Sequence, residues 1–207
     1  MKLYSYIIAR DFGFAPNPFF GVCTLATCKP VIRQHARVGD WIVGTGSRNY
    51  DLEGRLVFAM KVEESCSFDQ YWDDPRFAMK KPNLHASLMQ AVGDNIYHHG
   101  PDGNWLQEDS HHSHPGGLPN TANVEKDTQT DRVLISTTFG YWGKDAIAIP
   151  PELDICHTGR GYRVNFPPRT EASFEEWFMA LPDMLDADAV GYFGEPAEFQ
   201  RMLRENS

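Results

Sequence analysis

The chain has 207 residues, of which 42% are hydrophobic and 13% aromatic, and a formal charge of −9. That is enough apolar material for a core without disulfides or metal. The acidic balance excludes a long coat of Lys and Arg on nucleic-acid phosphates, yet leaves room for a local site holding one nucleotide or a flipped base.

Leu3 to Ala9 is β-branched and aromatic and reads as the first core strand rather than a signal peptide. Arg10 to Gly21 is a loop broken by Pro, Gly and Asn that carries Phe12, Phe14, Phe19 and Phe20. Such a loop either folds its rings onto the core or offers them as a wall for stacking a base. A short element follows at 31–36. Then come two β-rich runs, Trp41 to Val43 and Leu56 to Val62, joined through Gly44-Thr45-Gly46-Ser47 and a polar connection. They read as a hairpin. Its two glycines mark either a tight bend between core strands or a backbone cradle for a ligand.

Ser67 caps a helix with Phe68, Tyr71 and Trp72 at helical spacing, which stops before Pro75. Residues 87–93 make a turn or two of helix. From 93 to 131 the chain is polar and rich in Gly, His, Asn and Pro, an insertion of the kind that is functional or disordered. Arg132 to Phe139 is the clearest late strand. Ser173 reads as the N-cap of a helix with apolar residues at 174, 177, 178 and 181, and a last helix is expected over about 196–204. No 18-residue apolar run suits a membrane span. The four cysteines (23, 28, 66, 156) show no disulfide-framework spacing, so a cytoplasmic setting is expected.

Five of the eight histidines fall between 98 and 114. With Asp94, Glu108 and Asp109 they form a group suited to acid/base work near neutrality, to metal binding, or to a merely structural loop. No HExxH pattern or cysteine pair completes a metal site, so neither a structural zinc nor any other cofactor is expected. Of the thiols, Cys28 stands out because the adjacent Lys29 favours a thiolate. The sequence alone unites it with no base.

The segment Val38-Gly-Asp-Trp-Ile and its return strand Leu56-Val-Phe-Ala-Met-Lys-Val62 resemble the barrel-forming hairpin of PUA-like domains, which include EVE and ASCH modules. A wider set, 6–20, 24–30, Asp94 to His98 and Glu108 to His112, resembles the second of the nucleotide modification associated domain families. Those proteins look like parts of phage and bacterial DNA-base modification systems. The resemblance implies a single α+β domain over 1–207, built on a PUA-like β-barrel with marginal helices and the 93–131 insertion over one mouth. It implies recognition of a modified base or nucleotide. Phe12, Phe14 and Phe19 would stack, Asp11, Asn17, Asp40, Thr45 and Ser47 would make polar contacts, and Arg10 and Lys29 would meet phosphate. Two rivals stand beside it: an enzyme acting on a nucleotide or base through Asp94, His98, Asp109, His111 and His112, and a non-catalytic scaffold. Partners are then a nucleotide or modified base in nucleic acid, together with other modification-system proteins, and no membrane.

Overall fold

The structure, a computed structural model, describes residues 1–185 and 191–199. In chain order it contains β1 (Leu3–Ile7), β2 (Cys23–Leu25), α1 (Pro30–His35), β3 (Trp41–Thr45), β4 (Arg55–Lys61), β5 (Glu64–Cys66), α2 (Phe68–Asp73) and α3 (Leu88–Ala91). There follow β6 (Tyr97–His99), β7 (Trp105–Gln107), α4 (Thr121–Asp127), β8 (Val133–Ser136), β9 (Phe139–Tyr141), β10 (Ile147–Ala148), α5 (Thr170–Met179) and α6 (Pro182–Leu185). No helix among the described residues is long and apolar enough to cross a membrane. The chain divides into two compact units, one formed by 1–12, 36–63 and 136–207, the other by 13–35 and 64–135. It passes from one to the other at 12/13, 35/36, 63/64 and 135/136.

In the first unit, β3 and β4 form the expected hairpin, with Trp41 opposite Lys61 and Val43 opposite Ala59. β1 lies parallel to β3 on its other side, and β10 and β9 pair in turn with β4. Alternate residues of this five-stranded sheet face one way: Leu3, Trp41, Val43 and Ala59 pack with Trp142 and with Phe174 and Phe178 of α5. Gly44 is required by that packing, because an added Cβ would sit 2.2 Å from the Phe58 ring. Leu52 crowds Gly46 in the same way, its carbonyl oxygen 2.1 Å from an added Cβ. These glycines are tight packing against core side chains and backbone.

In the second unit, β2, β8 and β5 form a three-stranded sheet, β6 and β7 a two-stranded hairpin, and α1 to α4 complete the body. The Ser67 cap of α2 is a full capping box with Gln70, as the sequence indicates.

Four expectations need correction. Among the described residues the strands form separate sheets and close no barrel; the architecture is mixed α+β. The polar stretch 93–131 holds β6, β7 and α4 rather than a bare loop. Its helix α4 starts on an asparagine cap, with Asn120 Oδ1 accepting from Asn123 N at 3.2 Å, and has no apolar stripe to announce it. The strand read over 132–139 is two strands belonging to different sheets, β8 and β9. The break at Thr137-Thr138 is held by Glu63, whose carboxylate accepts from both hydroxyls and both amides. Finally, α5 starts at Thr170, so Ser173 lies inside it, although Phe174 and Phe178 are buried as expected. Met202 and Leu203 of the anticipated last helix lie outside the described residues.

Candidate functional site

Strand β2 runs into α1 through Ala26-Thr27-Cys28-Lys29, and two consecutive non-glycine residues of that turn are left-handed, Cys28 at φ 55° and Lys29 at φ 40°. Such backbone costs about 1–3 kcal/mol per residue and persists only where its surroundings hold it. The holding contacts are visible. Cys28 N donates to Asp127 Oδ1 at 2.8 Å, and Cys28 O accepts from Arg33 Nε at 2.9 Å. Arg33, fully buried, spends its other donors on the carbonyls of Thr130, Arg132 and Asp127. One guanidinium thus ties the turn to the segment that ends α4 (from Asp127) and leads into β8.

This arrangement presents the half-buried Cys28 thiol to His112, with Sγ 3.7 Å from Nε2. On its other side, His112 Nδ1 bonds Asp127 Oδ2 at 2.7 Å. That carboxylate is fully buried and also accepts from Tyr97 OH at 3.1 Å, which in turn accepts from Gln107 Nε2 at 3.0 Å. Gln107 and Asn123 both donate to the carbonyl of His112 and fix its main chain. Phe14 lies against the imidazole, ring centroids 4.6 Å apart. Burial opposes charge on His112, but the Asp127 hydrogen bond and then Cys28 outweigh it and raise the group to about 9. Near neutral pH it is an imidazolium, which stabilises negative charge developing on the sulfur.

Thiol, imidazole and buried carboxylate in this order are the parts of an activated nucleophile: attacking atom, proton carrier and orienting group. The other thiols have no such setting. Burial pushes Cys23 and Cys66 up to about 12, and raises Cys156 as well. The donor atoms of Cys28, His112 and Asp127 lie within 4.8 Å of one another, the one such group among the described residues that could share a metal ion. The Asp127 oxygens already accept from Cys28 N, Tyr97 and the far nitrogen of His112, so an ion would find three side chains here at most. Structural zinc takes four.

The remaining candidates have other surroundings. Asp94 is fully buried and accepts from Thr24 Oγ1 at 2.7 Å and Tyr71 OH at 2.8 Å, with no histidine among those partners. His98 pairs with Glu108 at 3.0 Å and stacks on Trp72, while His99 pairs with Asp69 at 2.8 Å. Asp109 is exposed and accepts from Ser113. His111 is exposed beside Phe14, ring centroids 5.3 Å apart.

Phe14, Asn17, Phe19 and Lys29 belong to the second unit, with Phe14 and Phe19 buried. Asn17 accepts from Lys80 Nζ at 2.6 Å and donates to Val92 O. Arg10, Asp11, Phe12, Asp40, Thr45 and Ser47 belong to the first unit. There Arg10 lies over the buried Phe12 and pairs with Glu198, and Asp11 accepts from Tyr141 OH. Asp40 caps its own turn by accepting from Lys2 N and Arg37 N, and Thr45 donates to Tyr6 O. Ser47 is buried, and its Oγ has no hydrogen-bond partner among the described residues.

Sequence reasoning picked out His112 and noticed Cys28 but missed Asp127, Tyr97 and Arg33. The one local signal for Asp127 is the Asn120 cap, which starts the helix that ends on it. No curated protein and no solved structure matches the chain. The sequence profile described as nucleotide modification associated domain 2 matches residues 1–203, and the chain belongs to that family.

Proposed function

We propose that the protein is a thiol-dependent enzyme of a nucleotide modification system, acting on a nucleotide or base through a covalent adduct on Cys28. The observation that carries this reading is the Cys28–His112–Asp127 relay, set on a strained turn and leading to a half-buried sulfur. With His112 already charged, the Cys28 thiol loses its proton to water as Sγ bonds an electrophilic carbon of the substrate, and His112 Nε2 gives its proton to the leaving group as that bond breaks. Water then attacks the carbon and gives its proton to the now neutral His112, and the carbon–sulfur bond breaks as the sulfur takes back a proton from solvent. Asp127 keeps the imidazole in the required tautomer throughout.

Recognition of the base belongs to this reading as the step that precedes chemistry, with Phe14 as an apolar neighbour of the imidazole. We take 1–203 as the working unit, since the family match spans it, and a cytoplasmic setting suits free thiols.

Alkylation by iodoacetamide, mapped by peptide mass spectrometry, tests the relay. Cys28 is expected to react at least about tenfold faster than Cys66 or Cys156, and His112→Ala should remove most of that advantage. A nucleotide that protects Cys28 then identifies the substrate side. Equal reactivity of the three thiols, or a rate indifferent to His112, overturns the proposal. A rate that rises tenfold when a chelator is added assigns the pair to a metal instead.

A further inference from the structure

Resting on the thiol reading, we infer that Gln107 is a positioning residue of this site: its side-chain amide directs the Tyr97 hydroxyl proton at Asp127, and so sets how firmly Asp127 holds His112.

The direction follows from which groups can only give a proton and which can only accept one. A glutamine amide has an accepting oxygen at one end and a donating NH2 at the other. Gln107 Oε1 accepts from Asn120 N at 2.7 Å, and a main-chain N–H is a donor alone. Gln107 Nε2 donates to His112 O at 3.2 Å, and a carbonyl is an acceptor alone. Turning the amide over would set donor against donor and acceptor against acceptor, so two main-chain groups fix it. The same Nε2 donates to Tyr97 OH at 3.0 Å. A phenol has one proton of its own. With Gln107 donating to its oxygen, Tyr97 sends that proton to its other hydrogen-bond partner among the described residues, Asp127 Oδ2, at 3.1 Å.

The local fold explains why these groups meet. Gln107 lies directly across the β6–β7 hairpin from Tyr97, and both side chains are buried. Asn120 is the N-cap of α4 and Asp127 its last residue, so the hydrogen bonds leave one end of the helix and return at the other. This circuit pins a short helix that has no apolar stripe to dock it.

Asp127 Oδ2 accepts from Tyr97 and from His112 Nδ1 together. Two donors share the charge of one oxygen, so a Tyr97 proton turned elsewhere would leave more of that charge to the imidazole. Gln107 therefore acts on the His112 ring through Tyr97 and Asp127, with no hydrogen bond of its own to the ring or to the sulfur. Its hold on the His112 carbonyl is duplicated by Asn123, whose Nδ2 donates there at 2.9 Å. Its donation to Tyr97 has no duplicate among the described residues.

A double-mutant cycle tests this, read from the low-field proton resonance of His112 Nδ1–H near neutral pH. Gln107→Glu keeps the shape of the side chain and the bond from Asn120, but offers Tyr97 an acceptor where it had a donor. The Tyr97 proton should turn to it, and the His112 resonance should move further downfield. The added charge also acts on His112, so the same substitution is made together with Tyr97→Phe, where no hydroxyl can turn. There the displacement should be smaller by about half or more. Gln107→Leu removes the donor without supplying an acceptor, so Tyr97 still points at Asp127 and the resonance should stay near its place in the intact chain. Equal displacement by Gln107→Glu with and without the Tyr97 hydroxyl overturns the inference, as does a Gln107→Leu displacement as large as that of Gln107→Glu. Should Gln107→Glu fail to fold, the intact chain decides. A scalar coupling across the hydrogen bond from Asn120 N–H to the Gln107 side-chain carbonyl carbon is expected, and its absence overturns the inference. None of these readouts involves Cys28. An additive cycle beside a fast-alkylating Cys28 strikes the role of Gln107 and leaves the proposed function standing. A coupled cycle beside an inert Cys28 strikes the thiol reading and supports Gln107 as the residue that orients the pair.

Discussion

The second unit holds two fully buried aspartates, Asp94 and Asp127, and they differ in what their hydrogen bonds reach. Asp94 is satisfied by two hydroxyls, Thr24 and Tyr71, and has the buried Lys80 near enough to oppose its rise. Burial wins: it raises the Asp94 carboxyl and pulls the Lys80 ammonium down to about 8. Lys80 spends its protons on Asn17 and on the carbonyl of Val22, so this network begins and ends inside the core. Asp127 is equally buried, yet its partners are a histidine, a tyrosine and the amide of a half-buried cysteine. The same residue type at the same depth closes a network inside the core in one place and, in the proposed reading, supports proton transfer in the other. What differs is whether the hydrogen-bonded chain reaches a reactive atom that a ligand can touch.

The largest expected effect falls on the sealed network. Removing the buried Lys80 ammonium strands its acceptors on Asn17 and Val22 and takes away the one cation facing Asp94, so Lys80→Met should cost about 3–5 kcal/mol in denaturant unfolding. In whatever protein remains folded, Cys28 should alkylate at its normal rate; a selective loss of thiol reactivity would merge the two networks into one.

Next in size is the pH dependence owed to His112. Its folded value of about 9 lies above the ordinary value of 6.5, so its contribution is complete below pH 6.5 and disappears as pH rises through about 9. The amount is on the order of 1–3 kcal/mol. Asp127→Asn keeps an oxygen for Cys28 N but loses the carboxylate charge. It should flatten the unfolding free energy between pH 6.5 and 9 and slow iodoacetamide at Cys28. An Asp127→Asn profile parallel to that of the intact protein would deny the ion pair.

The smallest effects come from the two tyrosines. Tyr71→Phe and Tyr97→Phe each remove one hydroxyl donor to a buried carboxylate and should cost about 1–3 kcal/mol, at the lower end of that range. Only Tyr97→Phe should alter the alkylation rate at Cys28. If Tyr71→Phe alters it equally, the contrast between the two aspartates is lost.

Much of the fold is readable in the residues. The 41–62 hairpin follows from its β-branched runs and glycine-bounded connection, α2 from its capping box, and the buried face of α5 from Phe174 and Phe178. The site is less readable because its parts are joined by distance in sequence: Cys28 and His112 are 84 residues apart, and Cys28 and Asp127 are 99 apart. His112 drew notice through composition, as one histidine of a cluster. Asp127 did not, since Thr121-Ala-Asn-Val-Glu-Lys-Asp127 has a polar surface on nearly every side and owes its helix to a cap. The resemblance to a barrel misled for a related reason. A hairpin fixes how β3 meets β4 but says nothing of what pairs with the far edges, and those edges are taken by β1, β9 and β10.

The repeated passage of the chain between its two units constrains how such a protein can be made and altered. Cys28 leaves the ribosome well before the β3–β4 hairpin, and His112 and Asp127 follow only after that hairpin has been synthesised. No single cut releases the second unit: a fragment covering 13–135 carries residues 36–63 with it, stranding β3 and β4 without β1, β9 and β10. A gene fusion or recombination event that moves the thiol site must therefore carry the hairpin along. Heredity will treat as one block what the folded chain divides into two.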